Sequence, residues 1–244
     1  MKTTLTLTAA LLFVLGCGGS TGPKDAGVDE TCGIDCDSQR DYGLIAQTCF
    51  EFSSTDTSES PPALGLLVSP VTTLEGNVKV MQVSYLQGGL KKMTDSYTIK
   101  GTDLYLIRRE WQAGQSVSYK DDSGALVGVL LARRSTGAGE TLSSSVKADV
   151  VNSGNRDSVA TTYTVTTAVP SSTDLKTPAE TYTDGLTLLQ SETPDHGRDP
   201  RRLLVHQKGF VLFSSPLSIS GGTAQAYKLQ NIKQLPEGSF DCGN

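Results

Sequence analysis

The sequence predicts an all-β fold, an antiparallel sandwich or (half-)barrel of about ten strands behind a disordered N-terminal linker. Three observations carry this reading. After Tyr42 apolar and polar residues alternate with a period of two, and Val78 to Tyr85 is the first such run. Turn-forming pairs rich in Gly, Asn and Asp separate the alternating runs. Helix signals are nearly absent, with only Ser38 to Gln47 able to form a turn or two.

The strands follow in order. Val78 to Tyr85 is rich in β-branched and aromatic residues and ends at Gly88-Gly89. Met93 to Ile99 and Asp103 to Trp111 flank Lys100-Gly101. Along the second of these, simple alternation puts Tyr105, Ile107, Arg109 and Trp111 on one face. Ser116 to Tyr119 and Leu126 to Arg133 read as a hairpin across the Asp121-Asp122-Ser123-Gly124 turn. The run from Leu126 to Ala132 is apolar on both faces and predicts a central, doubly buried strand. Glu140 to Val151 and Ser158 to Val169 flank Asn152-Ser153-Gly154-Asn155. Glu180 to Thr183 and Leu186 to Ser191 flank Asp184-Gly185, and Arg202 to Gln207 and Phe210 to Ser214 flank Lys208-Gly209. Ala226 to Leu235 is the last candidate.

The first 41 residues are of a different kind. Lys2 precedes an apolar run, Leu5 to Leu15, that ends in Val14-Leu15-Gly16-Cys17. A charged start, a short apolar middle and a small residue make a secretory signal peptide, too short to cross a bilayer as a helix. The cysteine after Gly16 resembles the lipobox of bacterial lipoproteins. That resemblance covers residues 1–17. It implies cleavage before Cys17 and a diacylglycerol on its thiol, followed by acylation of the new amine, with palmitate as a typical chain. Gly18 stands where an aspartate often retains members of this class in the inner membrane, so the resemblance implies an outer-membrane anchor. Two or three acyl chains hold a protein firmly where one holds it marginally. The domains are thus expected as a signal peptide (1–16), a lipidated flexible acidic tether (17–41) and an antiparallel β domain (42–244). The tether carries Gly18-Gly19-Ser20-Thr21-Gly22-Pro23 and the acids Asp25, Asp29, Glu30, Asp35, Asp37 and Asp41 against Lys24 and Arg40.

Five cysteines are present: Cys17, Cys32, Cys36, Cys49 and Cys242. With Cys17 lipidated the remainder is even, and an exported chain lies in an oxidising space. Of the three possible pairings, Cys32–Cys36 with Cys49–Cys242 is favoured. A metal site at Cys32, Cys36 and Cys49 is the rival, but its spacing is not that of a zinc pair and no histidine is near. The net charge of −5 is unpatterned and argues against nucleic-acid binding.

Catalytic patterns are lacking in the sequence. It has two histidines: His196 sits in the turn-rich Thr193 to Pro200 segment and His206 in a strand. No zinc-hydrolase histidine pair, nucleophile elbow or Walker loop occurs. No metal ligand set, cofactor or catalytic residue is expected, and a hydrolase is the least supported reading. Three Arg-Arg pairs, Arg108-Arg109, Arg133-Arg134 and Arg201-Arg202, lie at strand ends. One member of each can turn inward, so Arg109, Arg133 and Arg202 form a possible anion-binding rim. The chain is therefore expected to be a membrane-anchored envelope lipoprotein. It is held to the bilayer by its N-terminal lipid, and its non-catalytic β domain binds or assembles with an envelope protein partner. The anchor is expected in the outer membrane, with the domain either periplasmic or surface-exposed; the alternatives are a half-barrel lipid or lipoprotein carrier and an accessory lipoprotein of surface motility or adhesion.

Overall fold

A computed structural model describes residues 34, 36–55, 64–194, 201–215, 225–239 and 242, except the side chains of 36, 201, 213–215 and 225. The lipobox, Cys32 and the Cys36 side chain, and therefore the Cys32–Cys36 pairing, lie outside the described residues. So does His196.

Among the described residues the domain contains a short helix, α1 (Cys36–Asp41), and fourteen strands. These are β1 (Thr48–Ser54), β2 (Leu64–Val68), β3 (Thr72–Thr73), β4 (Lys79–Gln87), β5 (Leu90–Lys100), β6 (Asp103–Trp111) and β7 (Ser116–Lys120). They continue as β8 (Val129–Arg133), β9 (Thr141–Asn152), β10 (Asn155–Ala168), β11 (Leu186–Thr193), β12 (Arg201–Val205), β13 (Gly209–Ser215) and β14 (Gln225–Gln234). All pairings are antiparallel. The sheet runs β2-β1-β14-β13-β12-β11-β10-β9-β7-β6-β5-β4, and β2 also pairs with β4. That second pairing closes twelve strands into a barrel. Closure removes the edges that an open sheet leaves exposed. Of the expected alternatives the closed barrel is the one that forms; sandwich and half-barrel do not.

β2 makes closure possible because both of its faces are buried. Leu64, Leu66 and Val68 join the main core with Phe50, Phe52, Met81, Val83 and Tyr85. Leu67 turns the other way and packs with Leu86 and the Cys49 and Cys242 side chains. Those two cysteines form a disulfide, the pairing favoured from sequence. A third cluster, Val80, Ile107 and Leu126, lies apart from the main core beneath Leu74 and Val78. The outward face of β9–β11 is hydrophilic: Thr141, Ser143, Ser145, Thr162, Thr166, Ser191 and Thr193 are exposed. Among the described residues the exposed large apolar side chains, Ile45, Leu90, Val169, Leu189 and Ile232, are scattered over separate elements. Lipid-facing barrel strands carry an apolar band instead.

Four expectations need correction. The domain starts before residue 42, because Ser38, Gln39 and Asp41 of the supposed tether are buried in it. β7 and β8 are not a hairpin. Asp121 does order a turn, its Oδ1 accepting the Ser123 and Ala125 N–H groups at 2.9 and 3.0 Å. The Tyr119 carbonyl then accepts both Val127 and Gly128 N–H, and Gly128 (φ 75°) turns the chain back. Both strands consequently lie antiparallel along the same edge of β6. A side chain at Gly128 would meet Ile107 Cδ1 at 2.5 Å, so the reversal needs glycine twice over. Residues 180–183 form no strand; the 170–185 connection contains only an isolated Lys176–Thr181 bridge. Finally, the β5–β6 register shifts between Ser96 and Tyr97, which breaks strict alternation along β6. Leu104 and Leu106 therefore join the main core, Ile107 the outer cluster, and Arg109 returns to the interior. β8 itself is buried on both faces, as its composition requires.

Candidate functional site

Two constellations of polar groups are positioned by this frame. The first lies inside the barrel around Asp95, whose side chain is fully buried. Arg109 donates from Nε to Oδ1 at 2.7 Å and from Nη2 to Oδ2 at 3.2 Å. Arg202 donates from Nη2 to Oδ2 at 2.6 Å and from Nη1 to the Tyr97 hydroxyl at 2.7 Å. Tyr97 and Tyr85 donate to Oδ2 at 2.7 and 3.1 Å. The Arg202 guanidinium also lies 5.8 and 5.2 Å from the ring centres of Tyr97 and Phe210. Burial pushes the Asp95 carboxyl up, but the charges and hydrogen bonds of Arg109 and Arg202, with the Tyr97 bond, outweigh it and hold the group at about 2. Burial raises the Tyr85 and Tyr97 hydroxyls, so both stay protonated donors.

This arrangement corrects the expected arginine rim. Arg109 and Arg202 do turn inward, as alternation allowed, but they converge on one buried carboxylate. Arg133 is half exposed and pairs instead with Asp103 at 3.5 Å. The three do not make a solvent-facing anion site. Sequence reasoning found the two arginines and missed their partner: Asp95 sits in Met93 to Ile99 as an ordinary polar member of an alternating strand.

The second constellation is a pocket of about 240 Å³ at one end of the barrel. α1, the turn after β8, residues 184–186 and the end of β12 bring its walls together. Tyr42, Ala132, Leu186 and Leu204 give an apolar floor, Asp41, Arg133, Arg134 and Asp184 supply the charge, and His206 adds an imidazole. The chain before β1 is seated firmly. Tyr42 donates to the Thr102 carbonyl at 2.6 Å, Ser38 to that of Gly101 at 3.3 Å, and Gln207 N–H to that of Asp41 at 2.9 Å. Gly43 (φ 64°) lies so close to Gly209 that a Cβ there would stand 2.6 Å from the Gly209 Cα. Gly43→Ala is expected to cost roughly 1–3 kcal/mol in urea unfolding, combining a disfavoured conformation with a backbone clash. Gly76→Ala is the control: Gly76 has a similar φ of 71° but open space around its Cβ, so only the conformational cost of about 1–2 kcal/mol should remain. Equal losses would show that the close approach at Gly43 is unimportant.

Asp41 is the central group of the pocket. Its side chain is 8% exposed; Oδ2 lies 3.1 Å from Arg134 Nε and Oδ1 lies 3.6 Å from His206 Nε2. The Arg134 contact lacks the alignment of a hydrogen bond, and Oδ2 accepts none among the described residues. Sequence reasoning had assigned Asp41 to the tether and passed over Arg134; the Arg133-Arg134 pair was the visible signal. A histidine beside a carboxylate is present here, but no serine lines the pocket, so a Ser-His-Asp relay is not assembled among the described residues. No group of three metal-binding side chains occurs among the described residues either.

Comparison with protein-family models, with characterised proteins and with solved structures found no match.

Proposed function

We propose that this chain is a lipid-anchored component of the bacterial envelope whose barrel is a non-catalytic binding or assembly module. The observation that carries the second half of this reading is the combination of a closed barrel with an outward face that is hydrophilic along β9–β11. Its interior is filled by fully buried Tyr85, Tyr97, Tyr119, Tyr163 and Tyr227 and by the Asp95 network. A half-barrel carrier would need a large open apolar concavity, whereas these buried side chains pack into one another across the described interior. An outward face of Ser and Thr suits a domain in water, held near a membrane by something other than its strands. The lipobox supplies such an anchor at Cys17. The outer membrane, and an envelope protein as the partner, belong to the same reading.

The test is Cys17→Ala in cells. Labelled palmitate should no longer enter the protein, and the protein should leave the membrane fraction. The purified domain should keep the melting behaviour of the wild type. Palmitate still entering the variant would overturn the anchor. Cross-linking in intact cells, followed by identification of the attached protein, tests the partner.

A further inference from the structure

We propose that the pocket at the α1 end binds a small zwitterion, a molecule with a primary ammonium and a carboxylate a few bonds apart, such as a free α-amino acid. The inference rests on the reading of the barrel as a binding module and names what one site on it takes.

Three features of the pocket point to this chemistry. The first is Asp41 Oδ2, buried and without a hydrogen-bond donor among the described residues. A buried carboxylate oxygen is costly unless an N–H or O–H reaches it. An ammonium supplies a donor and a charge together. The second is the pair of guanidinium groups at the mouth. Arg134 engages Asp41 through Nε, and Arg133 engages Asp103 through Nε, leaving the terminal nitrogens of both without hydrogen bonds among the described residues. Both side chains are about half exposed, so these nitrogens can meet a carboxylate arriving from solvent. The third is size and floor. About 240 Å³ lies below the usual range for drug-sized ligands, and Tyr42, Ala132, Leu186 and Leu204 suit a short aliphatic group. The pocket walls carry both signs: Asp41 and Asp184 against Arg133 and Arg134. A simple anion would meet the two acids, and a simple cation the two arginines. A zwitterion alone satisfies both.

The experiment is titration calorimetry of the soluble domain from residue 18 onward, with the probes L-alanine, D-alanine, ethylamine and acetate. Alanine of at least one hand should bind saturably in the micromolar to millimolar range, at least tenfold more tightly than ethylamine or acetate. Arg133→Gln and Arg134→Gln lie at the half-exposed mouth, with circular dichroism checking the fold; together they should weaken alanine at least tenfold while binding ethylamine no more weakly than the wild type, because Arg134 no longer competes for Asp41. Asp41→Asn should weaken both alanine and ethylamine, with circular dichroism confirming the fold. The proposal is overturned if neither alanine binds, if ethylamine or acetate matches alanine, or if the double arginine variant binds alanine as the wild type does. None of these results bears on palmitate labelling or cross-linking, so failure here is separable from failure of the lipoprotein reading.

Discussion

Asp95→Ala is expected to abolish cooperative folding of the barrel, or to cost about 3–5 kcal/mol where folding survives, measured by urea unfolding. The reason is the asymmetry of a buried ionic cluster. Without the carboxylate, Arg109 and Arg202 remain inside the barrel as two like charges, and Tyr85 and Tyr97 lose their acceptor. Arg202→Met should be milder, because Asp95 keeps its two-point contact with Arg109 and a methionine refills much of the volume next to Phe210. The same cluster sets the acid limit of the fold. The Asp95 carboxyl titrates at about 2 in the folded protein against an ordinary 3.8. Its folded value is depressed, so its contribution is complete above about pH 4 and is lost as pH falls towards 2. Asp149 adds to the same window: the Arg156 hydrogen bonds, helped by Lys120, hold it at about 2 as well. Stability measured from pH 5 to pH 2 should fall steeply in the wild type. It should fall less in Asp149→Asn, which keeps Asp95. An Asp95→Ala protein as stable as the wild type would mean the cluster is not holding the barrel together.

How far these features could be read from the sequence depends on how local their causes are. β6 matches its expected span of Asp103 to Trp111, and β9 and β10 theirs to within a few residues, because alternation and the Asn152 to Asn155 turn are local properties. β8 is buried on both faces as its unbroken apolar composition requires. β1 to β3 were not anticipated: Thr48 to Ser54 mixes Glu51 and three hydroxyl residues with its aromatics, and β2 contains Gly65, placed there by contact with Cys242. The hairpin expected between β7 and β8 failed because a second reversal at Gly128 follows the first at Asp121, and which reversal governs pairing is decided by β6. The arginine rim failed for a related reason. Alternation allows one arginine of each pair to face inward, but the bulge in β6 is what selects Arg109, and only closure of the barrel brings β5, β6 and β12 around one carboxylate. Closure, bulges and the partner of a buried charge depend on distant strands, and no window of sequence contains them.

The second large effect is expected from the disulfide. Cys49 and Cys242 are separated by 193 residues, with Cα atoms 5.6 Å apart. Closing so long a loop in the unfolded chain corresponds to about 5 kcal/mol in the chain-entropy model. The bridge also holds the C-terminal segment in place. Leu235 N–H reaches the Gln47 carbonyl at 2.8 Å, and Gln47 donates its side-chain amide to the Pro236 carbonyl at 3.3 Å. Beyond these contacts Cys242 lies directly over Gly65, where a Cβ would come 2.7 Å from the Cys242 carbonyl oxygen. Loss of the bridge should therefore lower the unfolding midpoint and also loosen the cover over Leu67 and Leu86. Cys242→Ser would leave the Cys49 thiol behind, so the cleaner variant is Cys49→Ala with Cys242→Ala, which removes the bridge without leaving a free partner. It should unfold at lower urea than the wild type under oxidising conditions. Under strong reduction the wild type should move towards it and the variant should not move by this route. Non-reducing peptide mapping should recover a fragment joining residues 49 and 242. A wild type indifferent to the double substitution, or Cys242 recovered as a free thiol, would show that β1, β2 and the C-terminal segment stay together by packing alone, and that the covalent closure is dispensable to the barrel.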